Sequence, residues 1–274
     1  MKTLTVVHSN LRYHKNRRSN FPAYLDFPPN ERSDTIQQRF GMKITPEIHL
    51  AMLMLCAIWV SLVCYMGLIK RAQGRTLITK QILGITVLLV WLTYNIYYFH
   101  PSNFDWKLSL PLHACDIIGL IAGVAMLTST SVSRSILYFC GLALATQAFI
   151  TPIGNQDPET ARFWLFWALH IAIIGCAIFD IIVLGYRPTL KDFYICLGAD
   201  ILYVMIVLPI NISFGWNYGY LGDSLPQTET IVGFLGAWPG RVLTMLLLAM
   251  VLQYCLLLPW QLTRRVQMGR RSKQ

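Results

Sequence analysis

Charge is missing from this chain over long stretches. His49 to Ile69 contains no Asp, Glu, Lys or Arg, and neither does Gln81 to Phe104. A soluble helix of such length needs a polar face, so these stretches exclude an ordinary soluble fold and point to membrane crossings. Charged residues make up only 13% of the chain and hydrophobic residues 55%, whereas soluble domains carry about 25% charged residues. Paired cysteines are also missing. Cys56, Cys64, Cys115, Cys140, Cys176, Cys196 and Cys255 each lie inside an apolar span, with no CxxC pair and no loop cysteine for a disulfide. They read as small apolar core residues, with Cys115 set apart by its neighbours. No HxxxH or HExxH spacing occurs, so no metal and no cofactor is expected. No apolar run follows Lys2, Arg12, Lys15, Arg17 and Arg18, so no cleavable signal is expected.

What is present is an all-α pattern, a polytopic membrane helical bundle of about seven transmembrane helices. The spans fall near residues 47–69, 77–99, 110–130, 134–152, 162–184, 192–214 and 240–261. Residues 1–42 form a polar, Pro-containing N-terminal tail with no buriable apolar face, which predicts disorder. Residues 43–262 are the bundle and 263–274 a basic tail.

Orientation follows from Lys and Arg near the span ends. Lys70, Arg71, Arg75, Lys80, Arg134, Arg187 and Lys191 share one face with the basic C-terminal tail, twelve cations in all. The other face has six: Arg32, Arg39, Lys43, Lys107, Arg162 and Arg241. This predicts a cell-membrane protein with a cytoplasmic C-terminus. The five cations before residue 20 oppose that reading, and a start at Met42 would remove the conflict. The formal charge of +10 sits mostly in tails and short loops, a placement that suits anionic lipid rather than nucleic acid.

Ionisable groups at bilayer depth are costly and turn inward. At roughly 1.5 Å per residue, Cys115 lies roughly 8 Å and His170 roughly 12 Å into their spans. His49, His113, Cys115, Asp116 and His170 then share a layer toward the outer leaflet, and Asp200 sits near mid-depth. His113 and Asp116, three apart, share a helical face and can pair if the helix begins near residue 110, with Pro111 in its first turn. A Cys–His pair needs His170 or His49 from another helix. In the long connection 215–239, aromatic residues anchor the interface, or else form a lid with Asn217 and Tyr218 contacting a headgroup.

These residues resemble the YwaF-like family of integral membrane proteins over roughly 40–262. The resemblance rests on Leu110-Pro111-Leu112-His113, on Tyr138 through Gln147 followed by Thr151-Pro152, and on Leu169-His170. It continues through Gly185-Tyr186-Arg187-Pro188, Asn217-Tyr218-Gly219-Tyr220-Leu221 and Trp238-Pro239. More distantly the chain resembles a eukaryotic family of transmembrane ether-phospholipid acyltransferases, which use a Cys and a His on separate helices. That resemblance places His170 at the family's catalytic His. It places Leu112 at its nucleophile, leaving Cys115, one turn deeper on the same face, as the available thiol. Ile153 stands where the family has an acid.

Two activities fit. One is an intramembrane acyltransferase or hydrolase acting on membrane lipids, with Cys115 as nucleophile, His170 as base and His113 with Asp116 in support. His49, Asp200, Asn217 and Tyr218 would then assist or bind substrate. The other is proton-coupled transport or solute binding through Asp200, Asp116 and the histidines. A structural membrane protein is the third reading.

Overall fold

Threonine marks four of the helix starts. Thr45, Thr130, Thr160 and Thr189 are each followed by an apolar run, and each hydroxyl accepts a backbone N–H of the first turn. At Thr189 the cap is reciprocal, because Asp192 Oδ2 accepts from the Thr189 N–H at 2.8 Å. The computed structural model describes residues 45–150, 157–224 and 231–271. The predicted tail 1–42, Thr151-Pro152 and Pro226 lie outside the described residues.

The described helices are α1 (Pro46–Ala72), α2 (Thr76–Phe99), α3 (Ala114–Thr128), α4 (Ser131–Ala143), the short α5 (Gln147–Ile150), α6 (Ala161–Ile182), α7 (Leu190–Phe214) and α8 (Gly240–Arg271). Single 3-10 turns lie at Tyr218–Tyr220 and Ile231–Leu235. Among the described residues, six spans are long and apolar enough to cross a membrane, with α4 and α5 counted as one. The third expected span is the exception. α3 has 15 residues, a length of only ~22 Å against a hydrocarbon core of about 30 Å. At the far end, α8 continues through Arg271, so the basic stretch after 262 begins as helix.

α6 is the hub of the bundle and packs against α1, α2, α3 and α4. Gly175 permits the closest approach, since a Cβ there would collide with the Trp59 ring of α1. α7 and α8 pack chiefly on each other and on α4. They therefore stand away from α3 and α6, and the space between is the cavity described below.

One end of the bundle gathers the basic residues. Arg71 Nη1 donates to Val183 O at 2.8 Å, Lys80 Nζ to Ser129 Oγ at 2.8 Å, and Arg264 Nη2 to Pro188 O at 2.9 Å. Arg134 makes a two-pronged pair with Asp180, Nε to Oδ2 at 2.9 Å and Nη2 to Oδ1 at 2.7 Å. Asp180 is only 2% exposed. The sequence places it near a span end, where solvation is the simple expectation; the fold instead buries it and supplies a guanidinium from α4.

Candidate functional site

The lead-in to α3 builds the site. The Leu110-Pro111-Leu112-His113 segment is not the first turn of a helix, as its Pro suggested. His113 is the N-cap of α3 with extended backbone. Non-helical backbone next to a membrane bundle needs hydrogen-bond partners, and tyrosines supply several of them. Tyr203 of α7 donates its hydroxyl to Leu112 O at 2.8 Å. The Tyr218 hydroxyl donates to Trp106 O at 2.7 Å and accepts from the Leu110 N–H at 3.0 Å. Leu110 and Leu112 pack with Tyr203, Val207, Tyr218, Leu221 and Val242.

This geometry changes how His113 and Asp116 meet. Because His113 lies outside the helix, the two side chains do not pair face to face. Asp116 Oδ2 accepts from the His113 backbone N–H at 3.2 Å, and its Oδ1 accepts weakly from the Cys115 thiol at 3.8 Å. The His113 ring packs against Tyr218, with centroids 4.9 Å apart. Its Nδ1 accepts a long hydrogen bond from the Gly219 N–H at 3.4 Å.

His113, Cys115 and His170 all line one cavity of about 320 Å³. Its other walls are mostly aliphatic and come from α3, α4, α6, α7, α8 and the two 3-10 turns, with Asp200, Tyr203, Gln147 and Tyr220 as the further polar lining. The Leu144–Ala145 kink between α4 and α5 also borders it. There the Leu144 and Ala145 N–H groups both donate to Cys140 O, at 2.9 and 3.1 Å, a local widening of the helix. Burial pushes the Tyr220 phenol above its ordinary value, so it remains a neutral hydroxyl at physiological pH.

The two imidazoles are held in opposite tautomers. His170 Nδ1 can only donate to Phe166 O, 2.8 Å away, which leaves Nε2 with a lone pair. His113 Nδ1 accepts from Gly219, so its Nε2 carries the proton. The cavity wall thus offers one basic nitrogen and one N–H donor. Cys115, the adjacent thiol, donates to Asp116 rather than to either ring.

The remaining predicted residues are placed as follows. Asp116 is buried behind Cys115, at 3% exposure, and does not line the cavity. His49 Nε2 donates to Phe149 O at 2.7 Å and lies off the cavity. Asn217 shapes its own loop, with Oδ1 accepting from the Gly222 N–H at 2.9 Å and Nδ2 donating to Ser224 O at 2.9 Å. Tyr218 is fully buried as the strut already described. Their neighbours Gly219, Tyr220 and Leu221 form the cavity wall instead. Asp200 reaches the cavity from α7, with Oδ2 accepting from Gln253 Nε2 at 2.7 Å and Oδ1 from the Cys140 thiol at 3.3 Å.

Sequence pattern marks Gln253 only as a polar group within a span, and it does not single out Tyr203, Tyr220, Cys140 or Cys196 as site residues. Cys140 and Cys196 are 56 residues apart, yet their sulfurs stand 3.1 Å from each other. Local spacing carries no signal for such a pair. Arg241, read as a loop cation, is 1% exposed and donates to the carbonyls of Gly222 and Ser224, tying the 215–224 segment to the start of α8.

Fold and cavity together define a multi-pass helical membrane protein with an internal, largely apolar chamber. The chain belongs to the TMEM164 family, whose model matches residues 42–257. No curated protein and no solved structure matches it.

Proposed function

We propose that the chamber holds the acyl chain of a membrane lipid and that the protein acts on the lipid ester, as an acyltransferase or hydrolase. The observation that carries this reading is that Cys115, His170 and His113 all line one largely aliphatic cavity. A volume of about 320 Å³ is within the range of small-molecule sites, roughly 300–1,000 Å³.

The chemistry follows from the tautomers. His170 Nε2 takes the Cys115 thiol proton as sulfur attacks the ester carbonyl. The His113 Nε2–H is the donor available to the oxyanion that develops. Collapse expels the alcohol, which leaves with the proton from His170, and a thioester remains on Cys115. Water or an acceptor hydroxyl then attacks the thioester, giving free acid or a new ester and restoring the thiol. Before substrate binds, the thiol rests on Asp116; the reaction requires it to turn toward His170, a looseness common in unliganded sites.

The test is incubation of the purified protein with a phospholipid bearing a labelled acyl chain, with and without a lyso-phospholipid acceptor. We expect released or transferred label and a hydroxylamine-sensitive acyl adduct on Cys115. Cys115→Ala should abolish both, and His170→Ala should slow turnover by roughly 10²-fold or more. Full turnover by Cys115→Ala would remove the covalent mechanism.

We also infer from the Lys and Arg asymmetry that the protein resides in the cell membrane with its C-terminus in the cytoplasm. His113 and the 215–239 connection would then lie toward the outer leaflet.

A further inference from the structure

A second chemical centre lies on the lining of the same chamber. Cys140 of α4, Cys196 of α7 and Asp200, one turn beyond Cys196, bring two sulfurs and a carboxylate oxygen within 4.8 Å of one another. The sulfurs are 3.1 Å apart, and Cys140 Sγ lies 3.3 Å from Asp200 Oδ1. Cys140 and Cys196 are buried, while Cys140 and Asp200 both reach the cavity surface.

An independent feature points to the same place. Gln253 of α8 is fully buried, and its Oε1 has no hydrogen-bond partner. A buried amide oxygen left unpaired costs about 1–3 kcal/mol, so its position calls for a ligand. The amide nitrogen is 2.7 Å from Asp200 Oδ2 and 3.8 Å from Cys140 Sγ. Turning the amide over would put an oxygen ligand against the cluster with little other movement.

We infer that Cys140, Cys196 and Asp200 form a binding site for a thiophilic divalent cation, zinc by preference. Two thiolates and one carboxylate are a donor set that suits zinc, and with them Gln253 Oε1 or a cavity ligand completes a tetrahedron. Zinc–sulfur bonds of about 2.3 Å need the sulfurs about 3.8 Å apart, so the ion would part them slightly. Binding releases the two thiol protons. The three protein ligands and a fourth position facing the chamber are the arrangement of a Lewis-acid site rather than of a closed structural one. This inference does not depend on the cysteine mechanism at Cys115.

Cobalt(II) is the probe, because its thiolate complexes have a near-ultraviolet charge-transfer band. Full-length protein, purified in detergent under reducing conditions and stripped of metal, should take up one cobalt per chain with that band and exchange it for zinc. Cys196→Ser and Asp200→Asn should each weaken cobalt uptake by about tenfold or more, as loss of a supporting ligand does elsewhere. Cys115→Ser should keep the band unchanged, which separates this site from the proposed nucleophile. Size-exclusion profiles establish which variants are folded, and Cys140→Ser, with the same loss of cobalt uptake expected, serves as a further variant should Asp200→Asn not fold. Absence of the band in folded parent protein would overturn the inference. So would a band that persists in Cys196→Ser, or a Cys140–Cys196 disulfide found by mass spectrometry of unreduced protein.

Discussion

Cys115 and the buried cysteines differ in what surrounds them, and that difference is measurable. Cys115 lines the cavity, whereas Cys56, Cys64 and Cys176 are buried in helix packing away from it. A small lipophilic thiol reagent should therefore label Cys115 well before those three, and a long-chain lipid occupying the chamber should slow that labelling. Peptide mass spectrometry after timed exposure reads both effects; equal labelling of Cys115 and Cys176 would contradict the placement. Arg134 is a second residue with a sharp expectation. Its guanidinium is the partner of the buried Asp180 carboxylate and also covers the Tyr186 ring, 4.6 Å from its centroid. Arg134→Ala strands a charge in the packed end of the bundle and should destabilise by about 3–5 kcal/mol. Replacing both partners with apolar residues of similar volume should recover much of that loss. The apparent melting temperature of the single and double variants in detergent decides between these outcomes.

At the scale of an element, the non-helical turn segment before α3 is the feature that organises the site. Its own backbone closes short turns, as Leu112 N–H to Leu110 O at 2.7 Å, and side chains from α7 and from the 215–224 connection hold it to the bundle. Tyr203→Phe leaves Leu112 O unpaired, and Tyr218→Phe leaves both Trp106 O and the Leu110 N–H unpaired. Each change should cost about 1–3 kcal/mol, with Tyr218→Phe the larger, and should raise the labelling rate of Cys115 as the wall loosens. Gly219 serves the same wall. It adopts a positive φ of 62°, and a Cβ there would collide with the Tyr203 hydroxyl. Gly219→Ala should thus reproduce the Tyr203→Phe labelling phenotype, and an unaltered rate in both variants would show that the segment is held by other means.

At the scale of the whole molecule, the hydrogen bonds of Arg71, Lys80, Arg134 and Arg264 gather cations from distant parts of the chain at one end of the bundle. This is the end expected to face the cytoplasm. Reporter fusions after Gln274 and within 215–224 should report opposite sides of the membrane, with the C-terminal fusion cytoplasmic. The same side for both would overturn the crossing number, and a reversed pair would overturn the orientation.

How much of this was legible beforehand depends on how local the cause is. The charge-free runs determine a helical membrane bundle by themselves, because lipid forbids a bare backbone and about twenty apolar residues satisfy it as a helix. The same cost argument marks His113, Cys115, Asp116, His170 and Asp200 as inward-facing candidates. The sequence alone placed Pro111 inside a helix, since Pro is tolerated in a first turn and nothing nearby reveals that Tyr203 and Tyr218 would satisfy a non-helical turn there. It could not pair Asp180 with Arg134, Cys140 with Cys196, or Asp200 with Gln253, because each pair joins residues on different helices and depends on which helices pack. Only the tertiary structure decided that α7 and α8 stand off from α3 and α6. That gap turns separate polar residues into the wall of one chamber; the Gly219 N–H from the distant 215–224 segment selects the tautomer of His113, whereas His170 takes its own from Phe166 one turn back on α6.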